Sequence, residues 1–146
     1  MTPKTGAPVS AAPFAWRDEF LVGVAAIDAQ HRRLIDMIGA FYTALTERRP
    51  AKQALGELLE GLVEYTRYHF ATEERLMAAS GFPASPAHCE QHAAFVRTVG
   101  DLGDRFSRGE LVLSIEATTF LREWLTDHIL ASDKELGRHL VSRGLR

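Results

Sequence analysis

Apolar residues recur at alternating steps of three and four in four stretches of the chain, which is the spacing of a helix with one buried face. The inner face of the first stretch, which stops near Arg49 and Pro50, consists of Ile27, His31, Leu34, Ile38, Phe41 and Leu45. The second runs from about Lys52 to Ala79 and aligns Leu55, Leu58, Leu62, Tyr65, His69, Glu73 and Leu76. The third aligns His88, His92, Phe95, Val99, Leu102 and Phe106. The fourth aligns Thr118, Leu121, Leu125 and His128 and runs to about Asp133.

Helix-breaking residues separate these stretches. The run Ser80-Gly81-Phe82-Pro83 predicts the end of the second helix, and Ser85 followed by Pro86 predicts a capped start of the third. Short connections make consecutive helices antiparallel neighbours. The predicted fold is therefore all-α, an up-down-up-down four-helix bundle with an N-terminal arm and a short C-terminal helix.

The chain is predicted to hold one domain, residues 14–146, behind a leader. Residues 1–13 are rich in Pro, Ala, Thr and Ser, with almost no large apolar side chains, so we expect a flexible leader there. Residues 14–23 carry bulky side chains without a helical period, which indicates an arm across the domain. Trp16 and Phe20 are its predicted anchors.

Composition and charge exclude several classes of function. A length of 146 residues, with 46% hydrophobic and 25% charged residues, is ordinary for one globular domain. The net charge of −2 argues against nucleic acid as a partner. The sequence has no run of about 18 apolar residues, so no membrane span is predicted. The lone Cys89 cannot form an intrachain disulfide, and the first residues lack a secretory signal, so the expected location is cytoplasmic.

Histidine stands on each of the four inner faces, where an apolar residue is expected. A single such histidine is most often a core residue that hydrogen bonds to a carbonyl group. These histidines, however, fall near the start of the first and third helices and near the end of the second and fourth. In an antiparallel bundle those places share one level, within a slab on the order of 10 Å thick. Their convergence favours one shared site.

The spacing of these residues suggests a metal site. His69 and Glu73, like His88 and His92, are four residues apart, so each pair shares one helix face. Glu74 points about 140° away from His69, which predicts a solvated neighbour rather than a ligand. Imidazole and carboxylate donors without thiolate suit iron, and less exclusively manganese or zinc. Cys89 points off the inner face and is predicted to be a small packed residue.

Four runs of the sequence resemble the hemerythrins, and among them the single-domain bacterial type, the bacteriohemerythrins. The runs are GVAAIDAQHRRL (23–34), HFATEERLM (69–77), HCEQHAAF (88–95) and FLREWLTDHILASD (120–133). The resemblance implies that one iron is bound by His88, His92 and His128, that the other is bound by His31 and His69, and that Glu73 and Asp133 bridge the two.

The spacing along the helices does not make ligands of Asp133 or His139. Asp133 is taken as a ligand on the resemblance alone, because five residues after His128 an ideal α-helix would point it about 140° away. It can reach the site only if the helix is tilted or locally altered. His139 has no counterpart among the ligands and is predicted to lie on the surface.

The resemblance also implies a function. With two bridging carboxylates and a solvent-derived oxo or hydroxo bridge, two six-coordinate irons keep one position vacant, on the iron bound by His31 and His69. In hemerythrins this position binds O2 reversibly, for oxygen carriage, storage or delivery, and the oxidised form binds azide or other small anions. We expect a monomer that is not an enzyme. An apolar wall that restricts solvent, and equally serves as ordinary core, is predicted from Leu34, Phe70, Met77, Phe95, Leu125 and Ile129.

Two other classes of function stay open. The same di-iron site could serve a sensor of oxygen, redox state or NO, or an iron-handling protein. An O2-activating enzyme fits less well, because di-iron bundle enzymes use Glu-x-x-His pairs and no glutamate of this chain has a histidine three residues later.

Overall fold

The computed structural model describes residues 14–110 and 114–146, so the predicted leader lies outside the described residues. A 3-10 turn, Asp18–Phe20, precedes five α-helices: α1 (Ala25–Thr46), α2 (Ala51–Ser80), α3 (Ser85–Ser107), α4 (Ser114–Asp127) and α5 (Lys134–Ser142). Within these two ranges there is no β-strand, and no helix is long and apolar enough to cross a membrane. The predicted all-α bundle, with its arm and its C-terminal helix, is confirmed.

The predicted inner faces form the core of the bundle. Helix α1 packs on α2, α2 on α3, and α4 on both α1 and α2. No more than 1% of the surface is exposed at Leu34, Ile38, Leu55, Leu62 and Leu121. Burying one such side chain contributes about 1.5–3 kcal/mol, so these rows hold the four helices together. Five residues of the predicted inner faces are only partly buried: Leu45, Tyr65, Leu76, Leu102 and Phe106.

The connection between α2 and α3 differs from the prediction in one detail. Gly81 ends α2 as predicted, with a φ of 68°, a left-handed conformation that glycine adopts without strain. Ser85, however, is the first residue of α3, and Ala84 occupies the capping position without a side-chain hydrogen bond. The Ser85 N–H donates to the Phe82 carbonyl over 3.2 Å, which makes the turn tight. Helix α3 therefore begins one residue earlier than predicted, with Ala84 instead of Ser85 as its capping residue.

The fourth helix continues past Asp133 to the C-terminal helix. A π-helical segment, His128–Asp133 (hereafter the π segment), joins α4 to α5 without a break. The N-terminal arm crosses α5 at Gly137, where a β-carbon would lie 2.3 Å from the Val22 carbonyl oxygen. Asp28 holds the arm in place, because its carboxylate accepts the Val22 and Gly23 N–H groups at 2.8 and 3.3 Å.

Gly137→Ala is expected to destabilise the fold by about 2–3 kcal/mol, because the added methyl group would overlap the arm's backbone, which cannot rotate away as a side chain can. Gly100→Ala is the matched control. A β-carbon at Gly100 meets no atom within 4 Å, so that change should be neutral or stabilise the helix by up to about 1 kcal/mol. Chemical denaturation measures both, and equal free energies of unfolding would contradict this packing of the arm.

Candidate metal centre

The structure brings all seven predicted ligands together at one end of the bundle. Their residue exposures lie between 0% and 5%. Their ligand atoms form two overlapping groups, each with all atoms within 4.8 Å of one another: Glu73, His88, His92, His128 and Asp133; and His31, His69, Glu73 and Asp133. The two carboxylates belong to both groups. This division, three histidines on one side and two on the other, matches the ligand sets that the resemblance implied.

Glu73 faces both sets of histidines, one with each carboxylate oxygen. Its Oε2 lies 3.3 Å from His31 Nε2 and 3.1 Å from His69 Nε2. Its Oε1 lies 3.1 Å from the Nε2 atoms of His88 and His92. One oxygen directed to each side is the geometry that a bridging carboxylate needs.

Asp133 is placed in the same way from the opposite side of the bundle. Its Oδ2 lies 2.8 Å from His31 Nε2, and its Oδ1 lies 3.0 Å from His88 Nε2 and 3.3 Å from His128 Nε2. The π segment explains how it reaches the site, because an i→i+5 turn brings the fifth residue back to the same face. The prediction for Asp133 required a local change in the helix at this point. The run HILASD contains no Gly or Pro, so it does not indicate that the change is a π-helical turn.

His69 is oriented by a chain of hydrogen bonds that runs in one direction. Its Nδ1 donates to Gln30 Oε1 over 2.7 Å, and Gln30 Nε2 donates to Thr72 Oγ1 over 3.2 Å. The Thr72 hydroxyl donates in turn to the Tyr68 carbonyl over 3.2 Å. This bond holds the ring of His69 so that Nε2 is the nitrogen that faces Glu73, 3.1 Å from its Oε2.

The histidines of the other set have partners of the same kind. His128 Nδ1 donates to Gln91 Oε1 over 2.9 Å, and the Ser132 hydroxyl donates to the same oxygen over 2.7 Å. His92 Nδ1 lies 2.9 Å from Glu74 Oε2. Glu74 belongs to neither group of converging ligand atoms and 41% of its side chain is exposed, as expected of a solvated neighbour, but its bond to His92 was not predicted.

Sequence reasoning missed these outer partners because each one reaches a histidine of the next helix. Gln30 of α1 binds His69 of α2, Glu74 of α2 binds His92 of α3, and Gln91 of α3 binds a histidine at the end of α4. The available signal was adjacency, since each partner precedes or follows a predicted ligand in the sequence. His139 lies apart from the site and is half-buried, with its Nε2 donating to the Ser80 carbonyl over 3.1 Å.

Several atoms at the centre fit a metal ion better than they fit one another. Nε2 of His31, Oε2 of Glu73 and both oxygens of Asp133 are buried without a partner aligned for a hydrogen bond. Such atoms are rare in folded proteins, because each unsatisfied group costs about 1–3 kcal/mol. Lone pairs of imidazole and carboxylate converge here, and the set contains no thiolate, so the residues fit two first-row ions such as iron.

Without metal, protonated histidines balance the negative charge of the two carboxylates. Burial lowers the pKa of His31, but Asp133 and Glu73 outweigh burial and raise it to about 9. Burial also lowers the pKa of His88, but the same two carboxylates, at 3.0–3.1 Å, outweigh burial and raise it to about 9. The pKa of Glu73 falls well below its ordinary value, because the imidazoles of His69, His31 and His88, at 3.1–3.3 Å, favour the charged carboxylate and outweigh burial. Two imidazolium ions thus face two carboxylates.

The metal-free protein is therefore expected to lose stability as the pH rises from about 6.5 to 9. A histidine whose pKa is raised by folding stabilises the folded protein fully at a pH below its pKa in the unfolded chain, near 6.5. This stabilisation is lost as the pH rises to the pKa in the folded protein, here about 9. The decrease should be on the order of a few kcal/mol. Urea denaturation across this range measures it, with metal-loaded protein as the control. A flat profile for the metal-free protein would contradict these charges.

Aromatic rings cover the histidines on one side of the site. Phe70 stacks on His92 with ring centres 3.8 Å apart and an interplanar angle of 5°. Trp124 stacks on His128 at 4.4 Å and 13°. No more than 5% of the surface is exposed at any of the predicted wall residues Leu34, Phe70, Met77, Phe95, Leu125 and Ile129. Such an apolar shell restricts the entry of water to a metal site.

Comparisons with known proteins agree with this fold. The family model of the hemerythrin HHE cation binding domain matches residues 22–140. Bacteriohemerythrin of Stenotrophomonas maltophilia is 40% identical over 119 residues, which cover 82% of this chain and 76% of that protein. Bacteriohemerythrin of Methylococcus capsulatus is 34% identical and covers 82% of this chain and 89% of its own. A crystal structure of wild-type hemerythrin superposes with a TM-score of 0.79 at 32% identity, covering 88% of this chain and 98% of that one.

Proposed function

Because this chain belongs to the hemerythrin family, we propose that it is a non-haem di-iron protein that binds O2 reversibly. The observation that carries the proposal is the pair of buried carboxylates that each direct one oxygen to a two-histidine set and one to a three-histidine set. That arrangement supports two metal ions side by side in one site. The proposed role is oxygen carriage, storage or delivery by a monomer in the cytoplasm.

The proposed ligand sets follow the two groups of converging atoms. His88, His92 and His128 hold one ion, His31 and His69 hold the other, and the ions share Glu73 and Asp133. When bound, the iron pair supplies the electrons and the one open coordination position that O2 needs. Because structural metal sites are closed and functional ones keep an open position, the side with two histidines is the proposed place of O2.

The protein's own contribution is to orient the ligands and exclude water. Gln30 and Gln91 accept the Nδ1 hydrogens of His69 and His128, so each ring faces the centre with Nε2, the nitrogen that would bind an ion. The rings of Phe70 and Trp124 stack on His92 and His128, which are at most 5% exposed. Excluding water and protons favours the release of intact O2 over oxidation of the site.

The proposal predicts a reversible change in the absorption spectrum. The reduced, iron-loaded protein should gain visible absorption on exposure to O2, lose it when O2 is removed, and repeat the cycle. The oxidised protein should bind azide. Irreversible oxidation at first contact, without a coloured form and without azide binding, would contradict reversible binding and favour a redox or sensor role.

Leu125→Gln should shorten this cycling several-fold. Leu125 is 4% exposed on the inner face of α4, one turn before His128, so a polar side chain there would admit water and protons. Val96→Gln is the control, because Val96 is 45% exposed on α3. The measurement is the number of oxygenation cycles before half of the absorption change is lost. Equal survival of the two variants would show that Leu125 does not protect the site.

A further inference from the structure

One of the outer partners carries a charge. Gln30 and Gln91 hold their histidines with neutral amides, whereas Glu74 holds His92 with a carboxylate over 2.9 Å. The side chain of Glu74 is 41% exposed, while that of His92 is 2% exposed. A charge that stays hydrated on one side therefore contacts a fully buried imidazole on the other.

An ionised carboxylate can only accept hydrogen bonds, so His92 must carry its hydrogen on Nδ1. Its Nε2 is then the nitrogen that faces the centre, 3.1 Å from Glu73 Oε1 and 3.2 Å from His128 Nε2. An amide places less restriction on the histidine, because its NH2 end could turn to the ring and donate instead. Charge-assisted hydrogen bonds are also about twice as strong as neutral ones.

Phe70 and Glu74 restrain the ring of His92 in different ways. Stacking on Phe70 at 3.8 Å holds the plane of the ring. A half-turn about the Cβ–Cγ bond keeps that plane but exchanges nitrogen and carbon positions, which would direct Nε2 away from Glu73. The bond from Nδ1 to Glu74 distinguishes the two orientations, because only one of them places a donor at the carboxylate.

From these contacts we infer that Glu74 is a positioning residue for the three-histidine side of the centre. It selects the ring orientation and tautomer in which His92 binds metal through Nε2, and its negative charge makes that nitrogen a stronger donor and favours the oxidised ion. The inference rests on the proposed di-iron function and adds a residue outside the seven ligands.

The test compares four variants of the full chain, reconstituted with Fe(II) under anaerobic conditions. E74A removes the acceptor and the charge, E74Q removes the charge alone, and the double variant E74Q/Q91E moves the charge to His128, a histidine of the same group. E90Q is the surface control, because Glu90 is exposed and pairs with Arg97 over 3.1 Å. The readouts are iron affinity by chelator competition and the reduction potential of the iron pair.

We expect E74A to weaken iron binding by about 10–100-fold and E74Q to weaken it less. Both variants should raise the reduction potential, the double variant should return it toward the wild-type value, and E90Q should change neither quantity. If Glu74 only supported folding, moving its charge to position 91 would not restore the reduction potential. If the wild type holds two irons while E74A and E74Q match its affinity within about twofold and match its potential, the inference is overturned and the proposed function stands. A wild type that does not hold two irons overturns both.

Discussion

Glu73→Ala is expected to yield a folded protein that retains neither metal ion, because one carboxylate is shared by both ligand sets. Each oxygen of Glu73 faces one set of histidines, at 3.1–3.3 Å from their Nε2 atoms. Without it, Asp133 would be the only carboxylate left in either set. The metal content measured after gel filtration should fall from about two ions per chain to well under one, since each ion loses an anionic ligand at once.

Two further variants make this prediction specific. Glu73→Gln keeps the volume and removes the charge, so it should lose metal almost as completely while the helix content stays unchanged. Glu64→Ala removes an exposed carboxylate from the same helix and should keep the full metal content. Retention of one ion at wild-type affinity in Glu73→Ala would mean that this carboxylate serves a single ion and that the bridge is assigned wrongly.

Filling the site with metal at pH 7.5 is expected to release about two protons per chain. The pKa values of His31 and His88 are about 9 in the metal-free site, so both rings are protonated at that pH and must lose their protons to bind an ion. The overall affinity for the pair of ions should therefore fall by about 100-fold for each unit by which the pH is lowered below 9.

The proton count can be measured directly by adding Fe(II) or Co(II) to metal-free protein in weakly buffered, oxygen-free solution. His139→Ala is the control, because this histidine bonds to the Ser80 carbonyl outside the centre and should not change the count. Release of no protons, or an affinity that does not change between pH 6 and pH 8, would show that the metal-free site holds its carboxylates in another way.

The position of the site could be predicted from the sequence because periodicity and level are properties of whole helices. On all four helices the inner face changes from leucine to histidine at the same end of the bundle, which allows few arrangements of the histidines. His31 and His128 are buried at that end, as expected. The bundle fold follows from the same pattern and from the breakers at Gly81 and Pro83.

The rest depends on local geometry that a regular helix does not have. Asp133 faces the site because of the π segment, and no residue type within that segment indicates a wider turn. The bond between Glu74 and His92 was missed because helical angles describe only the helix of Glu74, whereas His92 stands on the neighbouring one. Contacts between helices, unlike positions along them, depend on helix rotation and spacing, which a single sequence does not specify.

The central claim is that this chain binds one O2 at a pair of irons and releases it unchanged. The direct test is to count iron and releasable O2 in the same reduced, anaerobically loaded sample. We predict about two irons per chain and about one O2 taken up per iron pair, all of it recovered when the gas phase is exchanged for argon. A single zinc per chain, or O2 that is consumed and not recovered, would contradict the claim.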